Sequence, residues 1–290
     1  MGEERIVIGY DGSPDAGQAA RWGMAEAQRT HASVELVFAR TGPGYLPAAA
    51  MIPGTPLWPG LESERWADEM LAAAVDQART QFPGVPVRGL TEPGAPTVVL
   101  SDHSANARMV IVGGRSHGAW TGFLIGSVAG SLAAHARCTV VVVRGPEEPV
   151  SGAPIVLALD ESSHSGKAAA FAFDQAAGHG SVLRVVRAWT PPADPWTGSA
   201  AMDREEIEVA MVQLDAVHEQ VKRWQDEFPA VPVRVDVVSG HPRRVVTEAA
   251  ADARMVVLGA RGGGGFSGLR LGSVVRHVLH HAPVTVAVVR

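Results

Sequence analysis

The feature that most constrains this chain is a segment that occurs twice, at residues 110–130 (VIVGGRSHGAWTGFLIGSVAG) and 256–276 (VVLGARGGGGFSGLRLGSVVR). In each copy an apolar β-branched run ends in glycine, a glycine-containing loop follows, and a Gly-Ser pair precedes an amphipathic run. This order predicts a strand, a loop and a helix. The second copy has the spacing G-x2-G-x9-G-S, whereas the first has Ser116 in place of the middle glycine.

A loop of this composition is suited to binding an anion. Glycine lacks Cβ, so a ligand can approach the backbone closely and φ can be positive. Successive backbone N–H groups then form a concave site for negative charge. Ser127 and Ser273 are expected to be the N-caps of the following helices, whose N-termini add partial positive charge. The alternative is a flexible turn before a capped helix, and the presence of two copies favours the binding site.

The repeat extends over both halves of the chain. RIVIGYDGSPDAGQAARW matches PIVLALDESSHSGKAAAF, which places Asp11 over Asp160, and ARMVIVGGR recurs as ARMVVLGAR. Within each half, continuous Val, Ile and Leu runs alternate with amphipathic segments, as in a parallel sheet covered by helices on both faces. We therefore expect an α/β fold with two tandem Rossmann-like domains, residues 1–145 and 153–290. Each would contain an open, doubly wound, five-stranded parallel sheet.

The hydrophobic pattern also predicts where the elements lie. The expected strands are near residues 5–10, 33–39, 85–91, 108–113, 139–143, 154–159, 181–188, 231–238, 254–259 and 284–289. The expected helices are near residues 15–30, 62–81, 95–105, 127–136, 164–178, 203–227, 242–252 and 273–281. In the second of these helices, Trp66, Met70, Ala73 and Ala74 are expected to form the apolar stripe.

Composition excludes several classes of protein. Hydrophobic residues make up 46% of the 290 residues and charged residues 19%, which indicates a folded chain with a buried core. The net charge of −5 argues against nucleic-acid binding. No apolar stretch reaches the roughly 18 residues that a membrane span needs. The N-terminus shows no signal-peptide pattern, and the single cysteine, Cys138, is expected in the core, so a cytoplasmic location is expected.

Taken together, these residues resemble the universal stress protein family. The resemblance rests on the strand-end aspartates in GYDGS and ALDES, on the G-x2-G-x9-G-S loop, and on the closing strands after HARC and HHAP. It covers nearly the whole chain and is similar to the tandem, actinobacterial-type, ATP-binding members. It implies a fold like that of the adenine nucleotide hydrolases, ATP as ligand, and a role in stress survival and dormancy. It also implies a homodimer or an intrachain pseudo-dimer paired through the closing strands.

The resemblance further implies one nucleotide site in each half, with Asp11 and Asp160 at the pocket aspartate. The base and ribose would lie at the ends of the first two strands, and the phosphates would lie on the glycine loop and the next helix N-terminus. The expected site residues of the first half are Gly9, Asp11, Ala39, Gly113, Gly114, Arg115, Ser116, His117, Gly118, Gly126, Ser127 and Val128. Those of the second half are Ala158, Asp160, Ala188, Gly259, Ala260, Arg261, Gly262, Gly263, Gly264, Gly265, Gly272, Ser273 and Val274. Mg²⁺ is expected to accompany ATP rather than to have its own protein ligands.

Alternatives remain open at several of these residues. Instead of lining a nucleotide pocket, Asp11 and Asp160 would be plain N-cap or Asx-turn residues. Arg115 and Arg261 would either screen phosphate charge or face water. If the position of Ser116 requires positive φ, serine costs on the order of 1 kcal/mol there. We therefore expect both sites to bind ATP, the second at least as tightly as the first.

Other functional patterns are weak. Gly263, Gly265 and Gly268 fit G-x-G-x-x-G, but they follow the fourth strand of the half rather than the first, where a dinucleotide site belongs. The eleven histidines show no zinc-ligand spacing. The Pro- and Gly-rich loops at residues 42–60 and 191–199 are candidate lids or docking surfaces for an unknown protein partner, or simply solvated connections. The function expected is that of an ATP-binding regulator; the alternatives are a slow ATP hydrolase or nucleotidyl-transfer enzyme, and a scaffold without nucleotide.

Overall fold

The computed structural model describes residues 4–40, 61–114, 125–146, 150–160, 162, 165–190, 204–262 and 271–290. The predicted loops at 42–60 and 191–199, and the tips of both glycine loops, lie outside these residues. The chain divides into two compact units, Met1–Arg144 and Gly145–Arg290. Both are α/β and contain a parallel sheet, which confirms the predicted fold class.

The first unit alternates strands and helices along its whole length. Its elements are β1 (Arg5–Gly9), α1 (Pro14–Thr30), β2 (Ser33–Arg40), α2 (Leu61–Gln81), β3 (Val87–Pro93), α3 (Pro96–His103), β4 (Met109–Gly113), α4 (Ser127–His135) and β5 (Thr139–Val143). The strand order is β3-β2-β1-β4-β5, and every pair is parallel. The order reverses between β1 and β4, and ligands bind beyond the strand ends at such a reversal in open α/β sheets.

The second unit repeats this arrangement. Its elements are β6 (Ile155–Ala158), α5 (Ser165–His179), β7 (Leu183–Trp189), α6 (Arg204–Glu227), β8 (Val233–Ser239), α7 (Pro242–Ala250), β9 (Met255–Gly259), α8 (Ser273–His281) and β10 (Thr285–Val289). Its strands are again all parallel, in the order β8-β7-β6-β9-β10. The equivalent reversal falls between β6 and β9.

The sheets are the centres of the two cores. Ile6, Val7 and Ile8 of β1 are fully buried, because helices cover both faces of the strand. The strands β3 and β8 begin two residues later than predicted, since Pro86 and Pro232 precede them and proline has no N–H for the ladder. Among the described helices, none is both long and apolar enough to cross a membrane.

Three expectations are wrong in detail. Gly126 and Gly272 are the N-caps of α4 and α8, and Ser127 and Ser273 are the first helical residues. Ser127 and Ser273 have helical backbone. An N-cap residue has non-helical backbone, so neither serine is the N-cap. Cys138 is half-buried rather than in the core, because it precedes β5 by one residue.

The buried stripe of α2 is also displaced by about one residue from the prediction. Trp66 is 56% exposed and Ala73 is exposed, whereas the buried residues follow a neighbouring stripe. The residues of that stripe are Ala67, Leu71, Val75 and Ala78. Leu71 packs directly on Gly89 of β3, where an added methyl would lie 2.7 Å from the leucine Cγ. The contact between Leu71 and Gly89 determines which side of α2 faces the sheet. Trp66 instead packs edge-on against Phe38, with ring centroids 6.3 Å apart.

Candidate functional site

The two predicted pocket aspartates lie just beyond the carboxyl ends of β1 and β6. Asp11 Oδ1 accepts hydrogen bonds from the Ser13 N–H at 3.0 Å and from the Ser13 hydroxyl at 2.5 Å. Ser13 in turn caps α1, because its Oγ accepts the Ala16 N–H at 3.1 Å. Asp11 therefore forms an Asx turn that positions the helix cap, which is the structural role expected as the alternative to the nucleotide pocket.

Asp160 holds the equivalent turn in the second unit. Its Oδ1 accepts the Ser162 N–H at 3.0 Å and the Ser165 hydroxyl at 2.8 Å. The other carboxylate oxygen faces the glycine loop, since a methyl placed on Gly262 would lie only 2.6 Å from Asp160 Oδ2. Asp160 and Gly262 are 102 residues apart in sequence, yet the carboxylate of Asp160 lies close to the backbone of Gly262. The absence of a side chain at residue 262 makes this approach possible.

The two ends of the second glycine loop are held together at its base. The Gly272 N–H donates to the Ala260 carbonyl at 3.0 Å, and Ser162 Oγ donates to the Arg261 carbonyl at 3.2 Å. A methyl on Gly272 would lie 3.6 Å from the backbone nitrogen of Gly262. These contacts join the two ends of the loop, and nearly all of the atoms involved belong to the main chain. Gly263, Gly264 and Gly265 lie outside the described residues.

In the first unit the two ends of the glycine loop are joined in the same way. The Gly126 N–H donates to the Gly114 carbonyl at 3.2 Å, and the Gly114 N–H donates to the Val143 carbonyl at 2.9 Å. A methyl on Gly113 would lie 2.8 Å from the carbonyl carbon of Asp15, so glycine is required for β4 to meet the first turn of α1. Arg115, Ser116, His117 and Gly118 lie outside the described residues.

The helices that follow the loops begin without a side-chain cap. Gly126 and Gly272 have extended backbone, with φ −62° and −65°, and they carry no side-chain acceptor for the first-turn N–H groups of α4 and α8. A helix N-terminus has unsatisfied N–H donors and partial positive charge. The predicted contributions of Ser127, Val128, Ser273 and Val274 are therefore backbone donors in the first turns of these helices.

The small residues predicted beside the base also lie at the strand ends. Ala39, Ala158 and Ala188 are half-buried at the carboxyl ends of β2, β6 and β7. Gly9 has a different neighbour, because a methyl there would lie 2.8 Å from Leu100 Cδ1. Its lack of a side chain makes room for α3, and this packing explains the glycine without a ligand.

Sequence reasoning missed several side chains around the two sites. Met70 of α2 covers the turn in the first unit, where a methyl on Gly12 would lie 2.5 Å from Met70 Sδ. In the second unit Arg187 is buried at 6% exposure and contacts Gln220 at 3.5 Å, and Gln220 contacts the Asp160 carbonyl at 3.5 Å. Arg187 is the counterpart of Phe38, and the two residues directly precede the predicted Ala188 and Ala39. A comparison of the two halves at this position would have shown that one has an arginine and the other a phenylalanine.

A buried charged cluster lies outside the predicted site, in the first unit. Glu35 of β2 is 1% exposed and forms ion pairs with Arg5, at 2.9 Å, and with Arg88. His103 Nδ1 lies 3.4 Å from the same carboxylate. Burial raises the pKa of Glu35, but the hydrogen bonds and charges of Arg88 and Arg5 outweigh it, so the pKa lies below its ordinary value.

Two groups of the second unit have lowered pKa values as well. Burial raises the pKa of Asp236, but hydrogen bonds from Arg184 and Arg234 outweigh burial and lower it. Burial lowers the pKa of His277, and the charge of His281, whose ring stacks on it at 4.1 Å, lowers it further. Within the described residues, no group of three or more His, Cys, Asp or Glu side chains is arranged to hold a metal ion.

Comparisons with known proteins agree with this architecture. The model of the universal stress protein family matches residues 3–144 and 153–290. The universal stress protein Rv2623 of Mycobacterium tuberculosis is 31% identical over 301 residues, covering 97% of this chain and 95% of that protein. Rv2005c of the same organism is 30% identical over 299 residues, covering 98% and 96%.

Solved structures show the same fold over the full length. The crystal structure of a universal stress protein from Archaeoglobus fulgidus superimposes with a TM-score of 0.71 at 17% identity, covering 99% of this chain and 96% of that one. The two matched segments and the full-length mycobacterial relatives confirm the predicted family resemblance and its tandem arrangement. The chain belongs to the universal stress protein family.

Proposed function

We propose that each unit binds one molecule of ATP and that the chain acts as a nucleotide-dependent regulator in stress response and dormancy. The observation that carries this proposal is the approach of Asp160 to Gly262. It brings a carboxylate next to the backbone of a glycine-rich loop, at the reversal of strand order where α/β sheets bind ligands.

The described residues of the second unit fit a nucleoside triphosphate. The backbone of Gly262 and the first turn of α8 offer N–H donors and positive potential to phosphate. The Asp160 carboxylate is an acceptor suited to ribose hydroxyl groups. Ala188 and Ala158 are half-buried at the ends of β7 and β6, and their side chains are small enough to lie beside a planar base. The triphosphate of bound ATP carries more negative charge than the phosphates of ADP or AMP. A regulator that binds these phosphates senses that difference in charge.

The first unit offers the same groups at the same elements. Asp11 follows β1, and Gly113 and Gly114 begin the loop that ends at Gly126. We propose that this unit also binds ATP, and that the second unit binds at least as tightly because its loop retains every motif glycine. Mg²⁺ would reach either site with the nucleotide, coordinated by phosphate oxygens and water.

Binding rather than turnover is the proposed activity. Asp11 and Asp160 are the acidic groups that recur beside both loops, and each holds a turn through Oδ1. Incubation of the purified protein with Mg-ATP tests this point directly. Turnover near 1 s⁻¹ or faster, which is ordinary for an enzyme, would instead indicate a hydrolase or transferase.

The decisive experiment is identification of the small molecule released when freshly purified protein is denatured, combined with calorimetric titration of ligand-free protein with ATP. We expect an adenine nucleotide in the released fraction and two binding events per chain. A ligand that binds the folded state must also raise the melting temperature by mass action. A protein with no bound nucleotide, no heat of binding and no thermal shift in excess ATP would be a scaffold, and the proposal would be wrong.

A further inference from the structure

The helix α7 of the second unit has a histidine as its cap. His241 is the N-cap residue, and its Nδ1 accepts the Arg243 N–H at 3.3 Å. A ring nitrogen that accepts a hydrogen bond carries a lone pair and no proton, so this cap requires neutral imidazole. Protonation at Nδ1 removes the acceptor and places a positive charge at a helix N-terminus, where the helix dipole opposes it. The first turn also contains Arg243 and Arg244, and Arg244 pairs with Glu248 at 3.5 Å.

Three more histidines lie on the neighbouring helix α8. The rings of His277 and His281 stack with centroids 4.1 Å apart, and His281 Nδ1 donates to the His277 carbonyl at 2.8 Å. His280 and His281 are in the last turn of α8, where the helix dipole favours positive charge. His277 lies one turn earlier and is half-buried. A positive charge on His281 therefore opposes a second charge on His277.

Groups from both helices act on His277, because α7 packs against α8. Burial lowers the pKa of His277 most, and it is lowered further by the charges of His281, Arg243, His241 and His280. With a folded-state pKa below the ordinary value of 6.5, the unfolded chain binds more protons than the folded one. The stability that neutral His277 contributes is therefore complete above about pH 6.5, and it is lost as the pH falls through the lower folded-state pKa.

The first unit has the same two helices but only one of these four histidines. Ala95 is the N-cap of α3 and has no side-chain acceptor for the first-turn N–H groups. The residues of α4 at the places of His277, His280 and His281 are Ser131, Ala134 and His135, respectively. Neither a titratable cap nor a pair of stacked imidazoles is thus present at the equivalent positions of α3 and α4.

The histidine at the end of α3 has the opposite surroundings. His103 Nδ1 lies 3.4 Å from the Glu35 carboxylate, and His103 Nε2 lies 2.8 Å from the Glu92 carboxylate. A proton on this imidazole is attracted by both carboxylates, because opposite charges attract strongly at these distances. Mild acid therefore strengthens the attachment of α3 to β2 and β3.

We propose that α7 and α8 form a proton-sensitive element of the second unit, in which protonation of His241 and His277 loosens this helix pair as the pH falls below about 6.5. The helix pair α3 and α4 of the first unit does not loosen in the same range. The inference is independent of any ligand. Its consequence for the second site rests on the proposed function, since α8 begins with the N–H groups that we assign to phosphate.

Hydrogen exchange of the full chain, measured by mass spectrometry without nucleotide, tests the inference. Peptides from α7 and α8 are compared with peptides from α3 and α4 at about pH 7.5 and about pH 5.5, on the two sides of the histidine range, after correction for the pH dependence of intrinsic exchange. We expect the opening of α7 and α8 to increase about fivefold or more in acid, as for the loss of a helix cap. Unchanged protection of α7 and α8, or an equal loss in α3 and α4, would overturn the inference.

A double variant removes the titrating groups and keeps a cap. His241→Asn supplies an N-cap that does not titrate, and His277→Ser introduces the residue of the first unit. This variant should retain in acid the protection that α7 and α8 have at neutral pH. Circular dichroism and the melting temperature at neutral pH establish that it is folded.

His135→Ala is the matched control, because it removes the equivalent histidine of α4. It should leave the acid response of α7 and α8 as large as in the unmodified chain. If the double variant lost protection in acid as the unmodified chain does, the histidines would not be the sensitive groups and the inference would be wrong, while the proposed nucleotide binding stood.

Discussion

Asp160 Oδ2 occupies the space into which any side chain on Gly262 would project, at 2.6 Å from the nearest possible Cβ. A Cβ atom is essentially never found this close to another heavy atom. The Asp160 side chain is held in place, because its Oδ1 accepts hydrogen bonds from Ser162 and Ser165. A packing constraint between a strand end and a loop thus accounts for the glycine without reference to a ligand, and it lies at the edge of the sheet where we propose that the ligand binds.

Substitution of Gly262 is expected to disable the second site selectively. Gly262→Val should reduce ATP affinity there by at least about tenfold, because the side chain displaces either the carboxylate or the loop backbone. Calorimetric titration of the two-site protein measures it. Gly166→Ala is the matched control, since a methyl there meets nothing within 4 Å and replaces glycine at the second residue of α5. It should stabilise the unit by up to about 1 kcal/mol without altering binding. Equal ATP affinity in Gly262→Val and the unmodified chain would contradict the site.

Two substitutions of the strand-end aspartate separate its structural role from ligand binding. Asp160→Asn keeps an oxygen that can accept the Ser162 N–H, whereas Asp160→Ala removes it. We expect both variants to weaken ATP binding, and only the alanine variant to lower the free energy of unfolding, by about 1 kcal/mol. Binding is measured by calorimetry and stability by urea denaturation. If the asparagine variant bound ATP like the unmodified protein, the carboxylate charge would have no role in the site.

The residue that follows α1, His31, is the C-cap of the helix, and its replacement by glycine is expected to stabilise the first unit. His31 has φ of 55° in the left-handed region, and it is the counterpart of Gly180 in the second unit, which has φ of 59°. Left-handed backbone favours glycine by on the order of 1 kcal/mol. His31→Gly should therefore raise the melting temperature of the first unit, and Gly180→His should lower that of the second. A decrease on introducing glycine would show that the His31 side chain contributes more than the backbone costs.

The Glu35 cluster predicts acid sensitivity of the first unit. Because the folded-state pKa is lowered, the cluster contributes stability above the unfolded value of about 4.5, and this contribution is lost as the pH falls through the lower folded pKa. Glu35→Gln should therefore flatten the dependence of unfolding free energy on pH below about 4.5 and reduce stability at neutral pH. Urea denaturation at a series of pH values measures both. The control is Glu219→Gln, an exposed carboxylate 3.9 Å from Lys222. A pH profile of Glu35→Gln that superimposed on the control would contradict the prediction.

Much of the architecture was predictable because the information is local and is present twice. Continuous Val, Ile and Leu runs and helical periodicity placed the described strands and helices within about two residues, and the parallel arrangement followed from their alternation. The aspartates and glycines of the candidate site recur at constant spacing, so comparing the halves was enough to select them. Their ligand remains a prediction.

The errors arose where two residues far apart in sequence decide the outcome. The stripe of α2 depends on Leu71 meeting Gly89, and periodicity alone cannot choose between neighbouring apolar stripes. Gly126 is held by the hydrogen bond from its N–H to the Gly114 carbonyl, and it rather than Ser127 is the N-cap of α4.

By itself, the sequence determined the repeated α/β plan, the family and the positions of the strand-end aspartates and glycine loops, since each of these is encoded in short-range pattern and spacing. Only the tertiary structure decided that Asp160 faces Gly262, that Arg144 lies over Gly114 and that Arg187 contacts Gln220. The physical reason is that packing is a through-space property. Whether a glycine serves a ligand, a helix or a neighbouring side chain depends on which atoms the fold brings to within a few ångströms of it.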